Sequence, residues 1–140
     1  MLVRAAVSGD LPRVIDLGHI ARQPDETRKR FLADHLAERH LLVAEDDETI
    51  VGYALYDCSF FERGFVHLLY VGERYRQHGV GSALLASSVR VCGTERVFTS
   101  TNLSNTRMQR LLAKHGWVRA GTVEGLDEGD PEVFYYVDAR

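Results

Sequence analysis

The stretch Arg74-Tyr75-Arg76-Gln77-His78-Gly79-Val80-Gly81-Ser82-Ala83-Leu84-Leu85 constrains this chain more than any other. It is a basic, glycine-punctuated turn that runs straight into an apolar helix. Before it, Phe65-Val66-His67-Leu68-Leu69-Tyr70-Val71 reads as a strand from its β-branched and aromatic content. Strand, glycine turn and helix in that order make an anion-binding device, because the first N–H groups of a helix lack intrahelical acceptors and the helix dipole adds positive potential there. Gly79 and Gly81 let a phosphate approach the backbone without meeting a Cβ, while Arg74, Arg76 and His78 add charge or donors. The expectation is a phosphate-bearing ligand held by Arg76, Gln77, His78, Gly79, Val80, Gly81 and Ser82. A simple turn followed by a close-packing glycine is the plainer alternative. Two nucleotide motifs fail: Leu84 occupies the third glycine position of G-x-G-x-x-G, and no Gly-Lys pair exists for a P-loop.

At 140 residues the chain is expected to form one domain, 1–140, with a single sizeable core. Apolar residues at 45% and charged residues at 26% set aside disordered, collagen-like and membrane classes. A net charge of -3 gives no reason to expect nucleic acid, and Arg74 and Arg76 are too few and too local for a phosphate-backbone stripe. Cys58 and Cys92 form no C-x-x-C, so neither a zinc knuckle nor a redox motif is expected, no metal is called for, and both read as buried thiols. No apolar stretch reaches the ~18 residues of a membrane span and no signal pattern opens the chain, which reads as a cytoplasmic protein without a membrane partner.

In chain order, Leu2 to Val7 reads as a strand, and Asp10 is expected to cap a helix with Pro12 in its first turn and Val14, Ile15 and Ile20 on its apolar face. Pro24-Asp25 breaks that helix, and Asp25 caps a second one reaching about Arg39, with Phe31, Leu32 and Leu36 inward. His40 to Glu45 and Thr49 to Cys58 are strands around the turn Asp46-Asp47-Glu48, and Ser59 to Gly64 is a second turn region before the strand Phe65 to Val71. The helix from Gly79 to about Cys92 is stopped by Gly93. A strand from Arg96 to Thr101, a helix from Asn105 to His115 and two strands, Trp117 to Val123 and Glu132 to Val137, follow. This α/β (α+β) order gives a mixed, mostly antiparallel sheet of about seven strands with about four flanking helices.

Arg76-x-x-Gly79-x-Gly81, between Leu69-Tyr70-Val71 and Ala83-Leu84-Leu85, resembles the acetyl-CoA-binding signature of the GCN5-related N-acetyltransferases (GNAT). Asn105-x-x-Met108-x-x-Leu111-Leu112-x-x-x-Gly116-Trp117 is similar to the family's N-x-x-A-x-x-L-Y-x-x-x-G-F segment, and Val3-Arg4-Ala5-Ala6 followed by Asp10-Leu11 looks like its opening. The resemblance covers nearly the whole chain and implies the GNAT fold. It implies acetyl-CoA as co-substrate, with its pyrophosphate on the glycine turn, its pantetheine along Leu69, Tyr70 and Val71, and Asn105 facing it as well as capping its helix. The implied reaction is direct attack of an amine of a small molecule or peptide on the thioester in a ternary complex, without a cysteine intermediate.

Two positions depart from the family. Phe65 stands where a glutamate base is often found; His67, two residues on and hence on the same face, is the alternative base, histidine's ordinary pKa near ~6.5 suiting the task. Leu112 stands where a tyrosine often protonates the leaving thiolate, so Tyr70, Tyr135 and Tyr136 become the candidate acids, the last two also readable as sheet packing, with water as the fallback. The acidic loop around Asp127 and Glu128 is expected to draw a cationic acceptor. The two departures also leave room for a different class, a CoA-binding sensor or partner-binding domain that has lost transfer. Exposed edge strands allow a homodimer.

Overall fold

The computed structural model describes residues 1–18 and 26–139. Seven strands, β1 (Leu2–Ala5), β2 (Leu41–Asp46), β3 (Thr49–Phe60), β4 (Arg63–Val71), β5 (Arg96–Asn102), β6 (Val118–Val123) and β7 (Glu132–Asp138), make one sheet in the order β1-β2-β3-β4-β5-β7-β6. Every neighbouring pair is antiparallel except β4 and β5, which run parallel. The α-helices among the described residues are α1 (Leu11–Asp16), α2 (Glu26–Ala37), α3 (Val80–Cys92) and α4 (Thr106–Lys114). The mixed sheet with flanking helices is the architecture expected from the sequence. No helix among the described residues is long and apolar enough to cross a membrane.

Strand alternation sends side chains to two separate cores. On one face, Val80, Leu84 and Leu85 of α3 and Leu112 of α4 pack against Ala54, Val66, Val97 and Tyr135. On the other, Val14 of α1 and Leu32 of α2 pack against Leu41, Val43, Tyr53 and Leu55. Because the faces are filled from different parts of the chain, β3 is buried on both sides along much of its length and β4 over Gly64, Phe65 and Val66, with the rest of β4 half-buried, which explains their near-continuous apolar sequence.

Several local expectations change. The strand pair is longer than expected: β3 runs on to Phe60 and β4 begins at Arg63, with only Phe61 and Glu62 between them, both at positive φ (52° and 66°). That two-residue geometry normally announces itself with Asn-Gly or Asp-Gly. Here it is held by the strands, whose Phe60 and Phe65 rings pack 4.9 Å apart with Phe98 and Phe134 alongside. Phe31 faces the sheet only in part: it stays 36% exposed, with its ring 4.3 Å from that of buried His35 and 5.5 Å from that of His67. Cys92 is buried as expected, and burial pushes its thiol up to about 12. Cys58 is exposed, because β3 has passed the end of the covering helix by then. Ile20, Pro24 and Asp25, read as a helix face, a break and a cap, lie outside the described residues.

Asp10 also departs from its expected role, since its side chain does not cap α1. Its two oxygens accept from both terminal nitrogens of Arg4 (2.8 and 3.1 Å), from Arg13 (2.9 Å) and from the Val7 N–H (2.8 Å), with the carboxylate wholly buried. A fork of two parallel N–H bonds outcompetes a single helix N–H. Arg4 in turn bonds Glu45 at 2.9 Å, so the pair pins β1, the start of α1 and β2 together. The Arg4 hydrogen bonds hold the Asp10 carboxyl below its usual range despite burial. A depressed carboxyl stabilises the fold above its unfolded-state value and loses that contribution as pH falls through the folded-state value. We expect Asp10→Asn to lower unfolding free energy at neutral pH by about 2 kcal/mol, less than the ~3–5 kcal/mol of a fully uncompensated buried pair because Glu45 still faces Arg4. Denaturant titrations at several pH values check this: the gap to the native chain should narrow below the ordinary carboxyl value near 3.8, and a pH-independent gap would contradict it.

Candidate active site

The parallel ladder between β4 and β5 is short. It pairs only Gly64, Phe65 and Val66 with Val97, Phe98 and Thr99, and the Thr99 hydroxyl closes its last rung by donating to the Val66 carbonyl at 2.7 Å. On the other edge of β4, Val66 pairs with Tyr56 and Leu68 with Leu55, so His67 is the extra residue of a β-bulge. The bulge coincides with the end of the β5 ladder, and beyond it the two central strands part. Leu69, Tyr70 and Val71 still pair with β3, and the Tyr70 carbonyl points there, since a Cβ on Gly52 would sit 2.9 Å from it. By strand alternation the peptide groups of Leu69 and Val71 therefore face the opening. Val71 confirms the direction, its carbonyl accepting from Arg76 Nε at 3.1 Å.

A cleft of about 650 Å³ occupies this opening. Its lining includes Leu69, Tyr70, Val71, Arg76, Gln77, Gly79, Gly81, Ser82 and Asn105, which were expected together from the sequence. Gly79 is the N-cap of α3 in left-handed conformation (φ 82°) with open space where a Cβ would be, and the first turn of α3 contains no acid to occupy its N–H groups. Such a helix start attracts an anion. Val80, by contrast, sends its side chain into the core, and His78 sits exposed on the turn outside the lining. Asn105 Oδ1 accepts the Met108 N–H at 3.1 Å, the cap expected of it. Ser82 lies 2.8 Å from His115 Nε2, joining α3 to the end of α4.

The opposite wall was missed from sequence. Arg107, Arg110 and Lys114 of α4 line the cleft, spaced so that a helix presents them on one side. Their spacing was the available signal, and with Arg76 they make the cleft a positive site for its size.

His67 is not in the cleft lining; it lies on the α2 side of the sheet, sharing that face with Phe65, whose ring is 4.8 Å away. Its Nε2 is 2.8 Å from Asp57 Oδ1, and His35 Nε2 is 3.0 Å from Asp57 Oδ2. Burial pushes the Asp57 carboxyl up, but hydrogen bonds from Ser59, His67 and His35 outweigh it and hold the group well below the usual range. As a fixed carboxylate Asp57 can only accept, so in the neutral ring the proton of His67 sits on Nε2 and the lone pair on Nδ1. Neither Asp57 nor His35 was singled out from sequence, since only the bulge and the packing of α2 bring them to His67.

The remaining expected residues separate. Tyr70 packs its ring 5.8 Å from Tyr53, with Arg76 over it at 5.6 Å, and lines the cleft. Tyr136 is not in the cleft lining; it lies against Phe98 (5.8 Å) and under the Arg96 guanidinium (4.2 Å). Leu112 is wholly buried and offers the cleft nothing. Asp127 accepts from Asn102 Nδ2 at 2.8 Å, tying the loop that also carries Glu128 to the end of β5.

The fold has counterparts among solved structures. A crystal structure of a GNAT-family acetyltransferase from Bacillus cereus superposes with a TM-score of 0.90 at 32% identity, covering 98% of this chain and 96% of that one. The structure of yncA from Salmonella typhimurium with its cofactor acetyl-CoA superposes with a TM-score of 0.78 at 19% identity, over 99% and 94% of the two chains. An N-alpha-acetyltransferase of Sulfurisphaera tokodaii is 28% identical over 132 residues, 82% of this chain and 78% of the relative. Residues 12–117 match the model of the acetyltransferase (GNAT) family. The glycine turn before α3, the parting of β4 from β5 and these likenesses agree, and the chain belongs to the GNAT acetyltransferase family.

Proposed function

We propose that this protein transfers the acetyl group of acetyl-CoA to a primary amine of a small molecule or peptide by direct attack in a ternary complex. The observation that carries the reading is the opening between β4 and β5 with an acid-free helix N-terminus at its mouth. Phosphates of CoA bind the N–H groups at the start of α3 and the positive side chains of Arg76 and α4. The pantetheine amides bond the peptide groups of Leu69 and Val71, completing the strand pairing that β5 abandons. Likeness to an N-alpha-acetyltransferase favours a peptide α-amine as acceptor, and the acidic loop carrying Asp127 and Glu128 favours a cationic one.

In the reaction the neutral amine nitrogen attacks the thioester carbonyl, a C–N bond forms, and the oxyanion is stabilised by backbone N–H at the β4 opening. The C–S bond then breaks and CoA leaves as thiolate. The proton lost by the nitrogen passes to His67 Nδ1, which Asp57 orients through Nε2. Of the candidate acids only Tyr70 borders the cleft; its ring packs on the α1 and α2 side with the hydroxyl beside Gly18, and water is the alternative proton donor to the thiolate. Buried Leu112 favours a second reading, a CoA-binding domain without transfer, since it leaves no donor where the family often has one.

Calorimetry and an amine panel separate these readings. Acetyl-CoA should bind the native chain at micromolar concentrations, and a variant carrying Gly79→Glu and Gly81→Glu should lose that binding. A folded native chain that does not bind would overturn both readings, and binding without turnover by any cationic or neutral primary amine would leave only the second. For the base, His67→Ala should lower kcat by about 10²–10⁴-fold with little change in acetyl-CoA affinity; full kcat in that variant would remove His67 from the mechanism.

A further inference from the structure

Among the described residues one group of three metal-ligand side chains converges: single atoms of His35, Asp57 and His67 all lie within 4.8 Å of one another. They come from α2, β3 and the bulge of β4, so the fold and not a local turn assembles them. The reading of His67 as base accounts for one contact in this group and leaves His35 unexplained.

His35 is buried and faces two acceptors. Its Nδ1 lies 2.9 Å from the Phe31 carbonyl oxygen and its Nε2 lies 3.0 Å from Asp57 Oδ2. A neutral imidazole carries one N–H, so one of these contacts would oppose two lone pairs. A cation between Nε2 and the carboxylate removes that conflict, with Nδ1–H donated to Phe31. A backbone carbonyl holding the far nitrogen is the outer-shell arrangement of metal-ligating histidines, fixing ring and tautomer together. An imidazolium at His35 is the competing solution.

The spacing also suits a small ion. Around a tetrahedral centre with bonds of ~2.0–2.1 Å, neighbouring ligand atoms lie ~3.3 Å apart. His67 Nε2 to Asp57 Oδ1 at 2.8 Å and His35 Nε2 to Asp57 Oδ2 at 3.0 Å fall a few tenths short of that edge at different carboxylate oxygens, and the three ligand atoms all lie within 4.8 Å of one another, so a small shift of the side chains seats an ion among them. Rings of Phe31 and Phe65 pack on the imidazoles at 4.3 Å from His35 and 4.8 Å from His67, giving the group apolar walls. Two imidazoles and one carboxylate match the preferences of zinc-like ions and are poor for calcium or magnesium, which require mostly oxygen.

We propose that His35 Nε2, the Asp57 carboxylate and His67 Nε2 form a binding site for one divalent transition ion of the Zn²⁺ class, with a fourth position left to water or a substrate group. Binding uses the Nε2 lone pair, so the single proton of the neutral His67 ring moves from Nε2 to Nδ1, and the ion and base catalysis exclude each other. That consequence rests on the proposed function; the site itself does not.

The test uses the full chain stripped with a chelator. Co²⁺ should give the visible absorption of a tetrahedral centre and bind once per chain at micromolar concentrations or tighter, with Zn²⁺ displacing it. His35→Gln and Asp57→Asn should each weaken binding at least about tenfold, with folding checked by circular dichroism. His67→Gln, at the partly exposed bulge, supplies the same loss should the other two fail to fold. Absence of the Co²⁺ signal, or binding unchanged in the folded variants, would overturn the site. Long-range ¹H–¹⁵N spectra of the native chain provide a check without mutation. A His35 Nε2 signal that moves on adding Zn²⁺ supports ligation, and one that stays fully protonated overturns it. Inhibition of transfer by Zn²⁺ joins the two proposals, whereas Co²⁺ binding beside metal-insensitive transfer keeps the site and removes His67 as the base.

Discussion

The structure depends on a failure of pairing at one point in its sheet. Among the described strands β4 and β5 are the only parallel neighbours, and their ladder stops at Val66 and Thr99, the place where His67 bulges from the pairing with β3. A bulge increases local twist, and increased twist turns the strand end away from its neighbour. Backbone groups that a sheet would normally consume are left facing a cleft. The cost of those groups is offset by whatever fills the cleft, here proposed to be an extended amide-bearing ligand arm.

Around that opening the charges are divided by face. On the α3 side the helix start, Arg76 and the α4 stripe Arg107, Arg110 and Lys114 make a positive approach. On the α2 side a fixed carboxylate, Asp57, sits between two imidazoles within an aromatic surround. The bulged residue belongs to the second face while its neighbours Leu69 and Val71 border the first. One irregularity in β4 thus joins a binding surface for an anionic co-substrate to a site of proton or cation exchange.

Much of this was legible because it is local. The Gly79-x-Gly81 turn, the N-cap at Asn105 and the order of strands and helices follow from short-range patterns, and the structure has them close to their expected limits. What escaped is non-local or overruled by competition. Asp10 has the composition of a helix cap, but a guanidinium fork from β1 takes its oxygens. Phe61-Glu62 has no turn signature and is bent by the strands it joins. Asp57 and His35 are 22 positions apart and meet only because α2 packs over the bulge. The α4 cations were readable as a stripe, yet which wall they face required the helix to be docked.

The central claim is that the parted end of β4 and the start of α3 hold the co-substrate through their backbone. Amide hydrogen exchange, with and without acetyl-CoA, measures those groups directly. The account predicts slowed exchange at Leu69, Val71, Gly81 and Ser82, with the edge strand β6 unchanged. Acetyl-CoA binding that leaves these amides unprotected, or protects a different part of the sheet, would contradict it.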